Sequence, residues 1–244
     1  MLNQPTRSAM PSRRSILRGL ACGCAAALAG PVCSVVARAA DTSHAPATTL
    51  SADEVLANLR QGNADFVNDR PRPVLTGRER RLQIAQGQTP FAVFVGCSDS
   101  RVPPELVFGS GLGEFFVVRV AGNSVDRTAL GSIEYGVGAL GCPVVVVMGH
   151  ERCGAVQAAI QMVQDDKRFP GAIGEMVSPI IPAVLRAQKM TGDLVENAVK
   201  ENVRSVVLRL RQSDDVLSGP VAQGKVKVVG AYYNLGTGAA EFLS

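Results

Sequence analysis

The sequence predicts an α/β fold: a mostly parallel four- to five-stranded sheet flanked by helices, preceded by an N-terminal helical arm. Two observations carry that expectation. Residues 91–95 (FAVFV), 115–118 (FFVV) and 144–148 (VVVVM) are continuous apolar runs, and runs without alternation mark strands buried on both faces, as in a parallel sheet between helical layers. Helical segments fall between and after them, near 127–141, 152–164, 175–190 and 194–212, so strand and helix alternate. With 244 residues, 46% hydrophobic and 19% charged, the chain has the composition of a globular domain. Disordered and collagen-like chains are excluded, and six cysteines are too sparse for a disulfide scaffold.

Taken in chain order, residues 1–39 contain Arg7, Arg13, Arg14, Arg18 and Arg38 and no acidic residue. The formal net charge is +4, but without these five arginines the 25 basic residues fall to 20 against 21 acidic ones, a net charge of −1. The sequence pI of about 8.8 therefore belongs to the leader, and no nucleic-acid partner is expected. Ser12-Arg13-Arg14-Ser15-Ile16-Leu17 precedes a weakly hydrophobic stretch over 19–36, and Ala37-Arg38-Ala39 supplies the small residues of a cleavage site. The segment resembles a bacterial twin-arginine export signal. The expectation is an export signal peptide over 1–39, a mature periplasmic chain from Ala40, and no stable membrane anchor after cleavage.

Residues 40–73 form the lead-in and helical arm, and residues 74–244 the α/β domain. Ser51 to Glu54 is a capping box opening an amphipathic helix with Val55, Leu56, Leu59, Phe66 and Val67 broadly on one side, stopped by Pro71-Arg72-Pro73. A second capping box, Thr76 to Glu79, predicts a short basic helix ending near Gly87. A further strand is expected over 226–232 and a short edge strand over 240–243.

In such sheets ligands bind beyond the carboxyl ends of the strands, and two strand ends here carry metal-type residues. The first apolar run leads into Gly96-Cys97-Ser98-Asp99-Ser100-Arg101, the third into Gly149-His150-Glu151-Arg152-Cys153-Gly154. A cysteine ending an apolar strand is ordinarily a small buried hydrophobe, and a lone histidine is ordinarily satisfied by a backbone partner. Their combination points to more. Two thiolates and an imidazole are a donor set suited to zinc, with the fourth position left to oxygen or water. Neighbouring strands end about 5 Å apart, so Cys97 can meet His150 and Cys153. A Cys97–Cys153 disulfide in an oxidising compartment remains the alternative.

Cys97-Ser-Asp-Ser-Arg101 with Val102-Pro-Pro-Glu105, and Gly149-His-Glu-Arg-Cys-Gly154, resemble the two signatures of β-class carbonic anhydrases. Phe116-Val-Val-Arg119, Ala121-Gly-Asn123 and Gly131-Ser-Ile-Glu-Tyr135 are similar at family spacing, and the resemblance spans about 51–243. It implies one Zn2+ per chain held by Cys97, His150 and Cys153, with zinc-bound hydroxide attacking CO2 to give bicarbonate and a proton. It implies that Asp99, paired with Arg101, accepts a hydrogen bond from that hydroxide, or becomes a fourth metal ligand if the pair opens. It further implies a substrate pocket of Gln88, Phe116, Tyr135 and the Gly154 N–H. That pocket is completed across a homodimer or higher homo-oligomer, with Phe66 of the arm docking on the partner.

His44 in the polar lead-in is the one histidine besides His150, so proton transfer is expected to use water and buffer. Cys142 reads as a buried apolar residue, and Glu151-Arg152 is explained equally well by a solvated helix start and by a role in the site. Two other functions keep the same residues. A hydrolase acting on CS2 or COS would need an altered tunnel, and no insertion is evident. A non-catalytic zinc or thiol protein would have no use for the Asp99–Arg101 pair.

Overall fold

The computed structural model describes residues 47–70, 72–213 and 215–243. The export-signal reading of residues 1–39 and the lead-in histidine His44 lie outside them.

The arm comes first. Helix α1 (Ala52–Val67) opens on the expected capping box: Glu54 N–H donates to Ser51 Oγ at 3.3 Å, and Ser51 N–H donates to Glu54 Oε2 at 2.8 Å. Its apolar stripe buries Val55, Leu56 and Leu59 in the core of its own chain. The chain leaves the helix at Asn68, before the prolines, through Asp69 in the left-handed region. Helix α2 (Arg78–Ile84) departs from the sequence reading. Gly77, not Thr76, is its N-cap and contributes no side-chain cap. Glu79 therefore falls too early in the helix for a capping box, and the Thr76 carbonyl instead accepts from Arg81 Nη1 at 2.9 Å.

Strand β1 (Ala92–Gly96), the short helix α3 (Pro104–Val107), β2 (Phe115–Arg119), α4 (Arg127–Gly138), β3 (Val144–His150) and α5 (Gly154–Gln164) follow in alternation. The expected helix over 175–190 is broken into α6 (Ala172–Val177), a 3₁₀ turn at Ser178–Ile180 and α7 (Ile181–Ala187). Pro179 and Pro182 remove the backbone donors that a continuous helix needs. Helix α8 (Leu194–Arg211) starts on its Asp193 cap. Helix α9 (Asp215–Ala222) was not legible, because Gly219 and Pro220 read as loop. Burial of Leu217 in the core holds it. Strand β4 (Lys227–Tyr233) and the edge strand β5 (Ala240–Leu243) complete the fold.

The sheet has five strands in the order β2-β1-β3-β4-β5. The first four are parallel, and β5 pairs antiparallel with β4. Alternate residues feed two cores. Phe94, Val144, Val146 and Met148 face a cluster shared with α1, α5 and α7, while Val93, Val95, Val145 and Val147 face one shared with α4 and α9. Helix α8 contributes Ala198 and Val199 to the first and Val203 to Leu210 to the second. Among the described residues, no helix is long and apolar enough to cross a membrane.

The tightest approach joins α1 to the turn after α3. A Cβ on Gly62 would lie 2.1 Å from the Phe108 carbonyl oxygen, a backbone atom with no room to yield. Gly62→Ala is therefore expected to destabilise by about 1–3 kcal/mol, lowering the melting temperature by roughly 3–10 °C. Gly131→Ala in α4, where a Cβ meets nothing within 4 Å, serves as control. It should leave stability unchanged or raise it by up to about 1 kcal/mol; calorimetry on the two variants checks the contrast.

Candidate metal centre

Parallel pairing of β1 with β3 places Gly96 level with Met148, so the chain beyond each strand emerges side by side. Cys97 follows β1 directly, His150 is the last residue of β3, and Cys153 is the N-cap of α5. All three are buried, and their ligand atoms lie within 4.8 Å of one another. The two sulfurs are 3.9 Å apart, and both cysteines are free thiols.

The imidazole is oriented from behind. Its Nδ1 lies 2.9 Å from the Glu151 carbonyl oxygen, which can only accept, so Nδ1 carries the proton and Nε2 presents a lone pair. That Nε2 is buried with no hydrogen-bond partner. A buried imidazole nitrogen with a free lone pair beside two thiols is a donor set that a cation would satisfy. The thiols are suited too. The two thiols share one hydrogen bond in which either sulfur can donate; it pushes Cys97 down, while the bond to Cys97 and burial push Cys153, the second to lose its proton, up. A cation would displace that second proton, as metal binding to thiols does. The residues present therefore fit zinc.

Four further hydrogen bonds hold Cys97 and its loop. Gly122 N–H donates to Cys97 Sγ at 3.3 Å, and the Gly122 carbonyl accepts from the buried Asn202 Nδ2 at 2.8 Å. Gly122 has φ +69°, and a Cβ there would strike Ile180 and Ala155, so a side chain is excluded. Arg119, at the end of β2, donates from Nε to the Cys97 carbonyl at 2.8 Å and from Nη2 to the Asp99 carbonyl. One guanidinium thus clamps the loop at two points. None of Arg119, Asn202 or Gly122 received a role from the sequence, because their partners lie 20 or more residues away in the chain.

Asp99 stands at the rim. Its Oδ1 accepts from the Arg101 backbone N–H at 3.0 Å and from Nε at 2.9 Å, and its Oδ2 accepts from Nη2 at 2.7 Å. The Arg101 guanidinium holds the carboxyl well below the usual carboxylate range. Asp99 Oδ2 lies 3.9 Å from His150 Nε2, so the carboxylate faces the same space as the three ligands. Gly154 is the first residue of α5, and a Cβ there would meet nothing within 4 Å.

The other expected pocket residues are not members of the buried Cys97, His150 and Cys153 group. Gln88 is exposed in the loop before β1. Phe116 stacks on Tyr135 with ring centroids 5.9 Å apart, against the opposite core, and Tyr135 is 44% exposed. Phe66 of the arm lies against Gly238 of its own chain while remaining partly exposed. Cys142 is buried, its thiol donating to the Pro90 carbonyl at 3.3 Å and pushed up to about 12 by burial, which suits a packing role.

A cluster of two thiols and an imidazole at the carboxyl ends of a parallel sheet defines an α/β metal-site protein. Comparison with known proteins narrows the class. A sequence model of the carbonic anhydrase family matches residues 92–240. The carbonic anhydrase of Mycolicibacterium smegmatis is 38% identical over 186 residues, covering 76% of this chain and 90% of that protein. Carbonic anhydrase 2 of Mycobacterium tuberculosis is 38% identical over 182 residues, covering 75% and 88%. Among solved structures, the β-carbonic anhydrase CafA of Aspergillus fumigatus superposes with TM-score 0.62 at 25% identity, covering 79% of this chain and 90% of that one. The tetrameric β-carbonic anhydrases of Sordaria macrospora give 0.61 at 26% identity, covering 67% and 85%. The chain belongs to the β-carbonic anhydrase family. It is a zinc enzyme that interconverts CO2 and bicarbonate.

Arg119→Lys tests the clamp. A single ammonium cannot span both carbonyls as the guanidinium does, and a hydrogen bond to a charged group contributes about 1.5–3 kcal/mol. Chemical denaturation of the zinc-loaded variant should show a loss of that size.

Proposed function

We propose that Cys97, His150 and Cys153 hold the catalytic zinc, and that Asp99, governed by Arg101, directs CO2 hydration at it. The observation that carries this reading is the buried, partnerless His150 Nε2 facing two thiols, with an ionised carboxylate 3.9 Å away. When bound, zinc supplies Lewis acidity that lowers the pKa of water from 15.7 to about 7. Two thiolates neutralise the dication, so the site depends on a further hydrogen-bond acceptor to favour the deprotonated nucleophile.

Asp99 supplies that acceptor. Arg101 occupies both carboxylate oxygens, which holds Asp99 off the metal position while leaving lone pairs free toward it. Because Arg101 holds Asp99 well below the usual carboxylate range, Asp99 orients the attacking oxygen without keeping its proton. The proton passes to water and buffer. Gly154, at the start of α5, offers its N–H to the oxygens of bicarbonate, as helix N-termini do for anions.

Gln88 and Tyr135 are exposed in the single chain, and a second copy would cover them and, with Phe116, complete the pocket. The β-carbonic anhydrases of Sordaria macrospora are tetrameric, which supports a homodimer or larger assembly here. The apolar wall they supply suits a nonpolar gas. Export is the remaining part of the proposal: the Arg13-Arg14 motif and Ala37-Arg38-Ala39 support twin-arginine transport with cleavage before Ala40. Folding before transport would let the thiols take zinc in the reducing cytoplasm. N-terminal sequencing of periplasmic protein should read from Ala40; full-length cytoplasmic protein alone would contradict export.

Stopped-flow hydration with matched zinc analysis tests the site. Cys97→Ser and His150→Ala are expected to lose zinc and activity together. Asp99→Ala should keep zinc and lose about 100- to 10,000-fold in kcat, the range of a positioned proton-handling group. A zinc-free variant hydrating CO2 at the wild-type rate would overturn the assignment.

A further inference from the structure

Glu151 lies between His150 and Cys153, and all of its polar groups are engaged. Its N–H donates to the Tyr233 carbonyl at 2.8 Å, continuing the β3–β4 ladder one residue past His150. Its carbonyl accepts from His150 Nδ1 at 2.9 Å. Its carboxylate Oε2 accepts from the Leu235 N–H at 3.0 Å. The next residue, Arg152, has φ +52°. This angle, with the Glu151 ψ, sets the direction of the carbonyl that orients the imidazole. A left-handed arginine persists only where its surroundings over-determine it.

Those surroundings are the turn over 234–239. Asn234 Oδ1 accepts from the Gly236 and Thr237 N–H groups, closing the turn on itself. The buried Asn63 of α1 ties down its far end, donating from Nδ2 to the Gly238 carbonyl at 2.9 Å and accepting from the Ala240 N–H at 2.8 Å. The contacts therefore run unbroken from α1 through the turn and the Glu151 carboxylate to His150. The Glu151–Arg152 ion pair, 3.6 Å with Arg152 77% exposed, contributes little by comparison.

We propose that Glu151 is a positioning residue of the zinc site: by gripping the Leu235 amide it locks the peptide that aims His150 Nε2, and so couples the 234–239 turn and α1 to metal retention. This rests on His150 being a zinc ligand. The Glu151 carboxylate acts as an acceptor, so its charge is dispensable. Zinc transfer from the loaded enzyme to an excess of a chromogenic chelator reads the effect. Glu151→Ala should release zinc about 10- to 100-fold faster, the usual span for groups that orient a ligand. Glu151→Gln keeps an acceptor for Leu235 and should release it near the wild-type rate. Equal release from Glu151→Ala and wild type overturns the proposal, as does a Gln variant as fast as the Ala variant. Hydrogen exchange needs no variant and decides the matter if Glu151→Ala does not fold. Coupling is reciprocal, so the Leu235 amide should lose protection when wild-type protein is stripped of zinc, and unchanged protection overturns the proposal. Wild-type protein that retains no zinc would instead sink the reading of the site itself.

Discussion

Parallel pairing of β1 with β3 is the constraint on which the site depends. Cys97 and His150 sit at the ends of strands whose register runs from Val93 against Val145 to Gly96 against Met148. A slip of one residue would exchange Phe94 with Val93 and Val95 between the two cores, so the hydrophobic clusters that stabilise the sheet also hold its register. Burial is nondirectional, yet through register it delivers ligand atoms to within 4.8 Å of one another. Gly149 belongs to the same constraint: a Cβ there would lie 2.7 Å from Val203 and 2.8 Å from Val199, so α8 closes directly on the strand that ends in His150.

The loops beyond β2 and β3 are held in costly states. Gly122, Asn123 and Arg152 all have positive φ, and each non-glycine residue there costs about 1–2 kcal/mol. His150 Nε2 and the Asn123 carboxamide are buried without partners among the described residues; nothing in the structure accounts for Asn123. Arg119, Asn202 and Glu151 oppose these costs by tying the loops to β2, α8 and the 234–239 turn. Under the proposed ligation zinc would offset a further part, because coordination would give the imidazole nitrogen its partner and displace the remaining thiol proton. Arg101 engages both carboxylate oxygens of Asp99 at the rim of the same site.

Much of this was legible in the sequence. Unalternating apolar runs identified the parallel strands, and turn residues at 96–101 and 149–154 marked where chemistry would fall. What escaped has physical reasons. Pro179, Pro182, Gly219 and Pro220 carry signals whose outcome tertiary packing decides, so one helix was broken and another missed. At Thr76 the spacing of a capping box was present, but Gly77 took the cap. Arg119 and Asn202 act on carbonyls brought near only by folding, and a lone arginine after an apolar strand looks like its solvent boundary. Phe116 and Tyr135 were found as motif positions, and the structure pairs their rings 5.9 Å apart, a contact that motif spacing does not state.

The claim at the centre is that two thiolates and one imidazole, preassembled by strand register, bind zinc and leave one position open. X-ray absorption at the zinc edge of the purified protein tests it most directly. The account predicts two sulfur neighbours at about 2.3 Å, one nitrogen at about 2.0–2.1 Å, and a light fourth atom. A first shell containing no sulfur, or four sulfurs with no nitrogen, would contradict it.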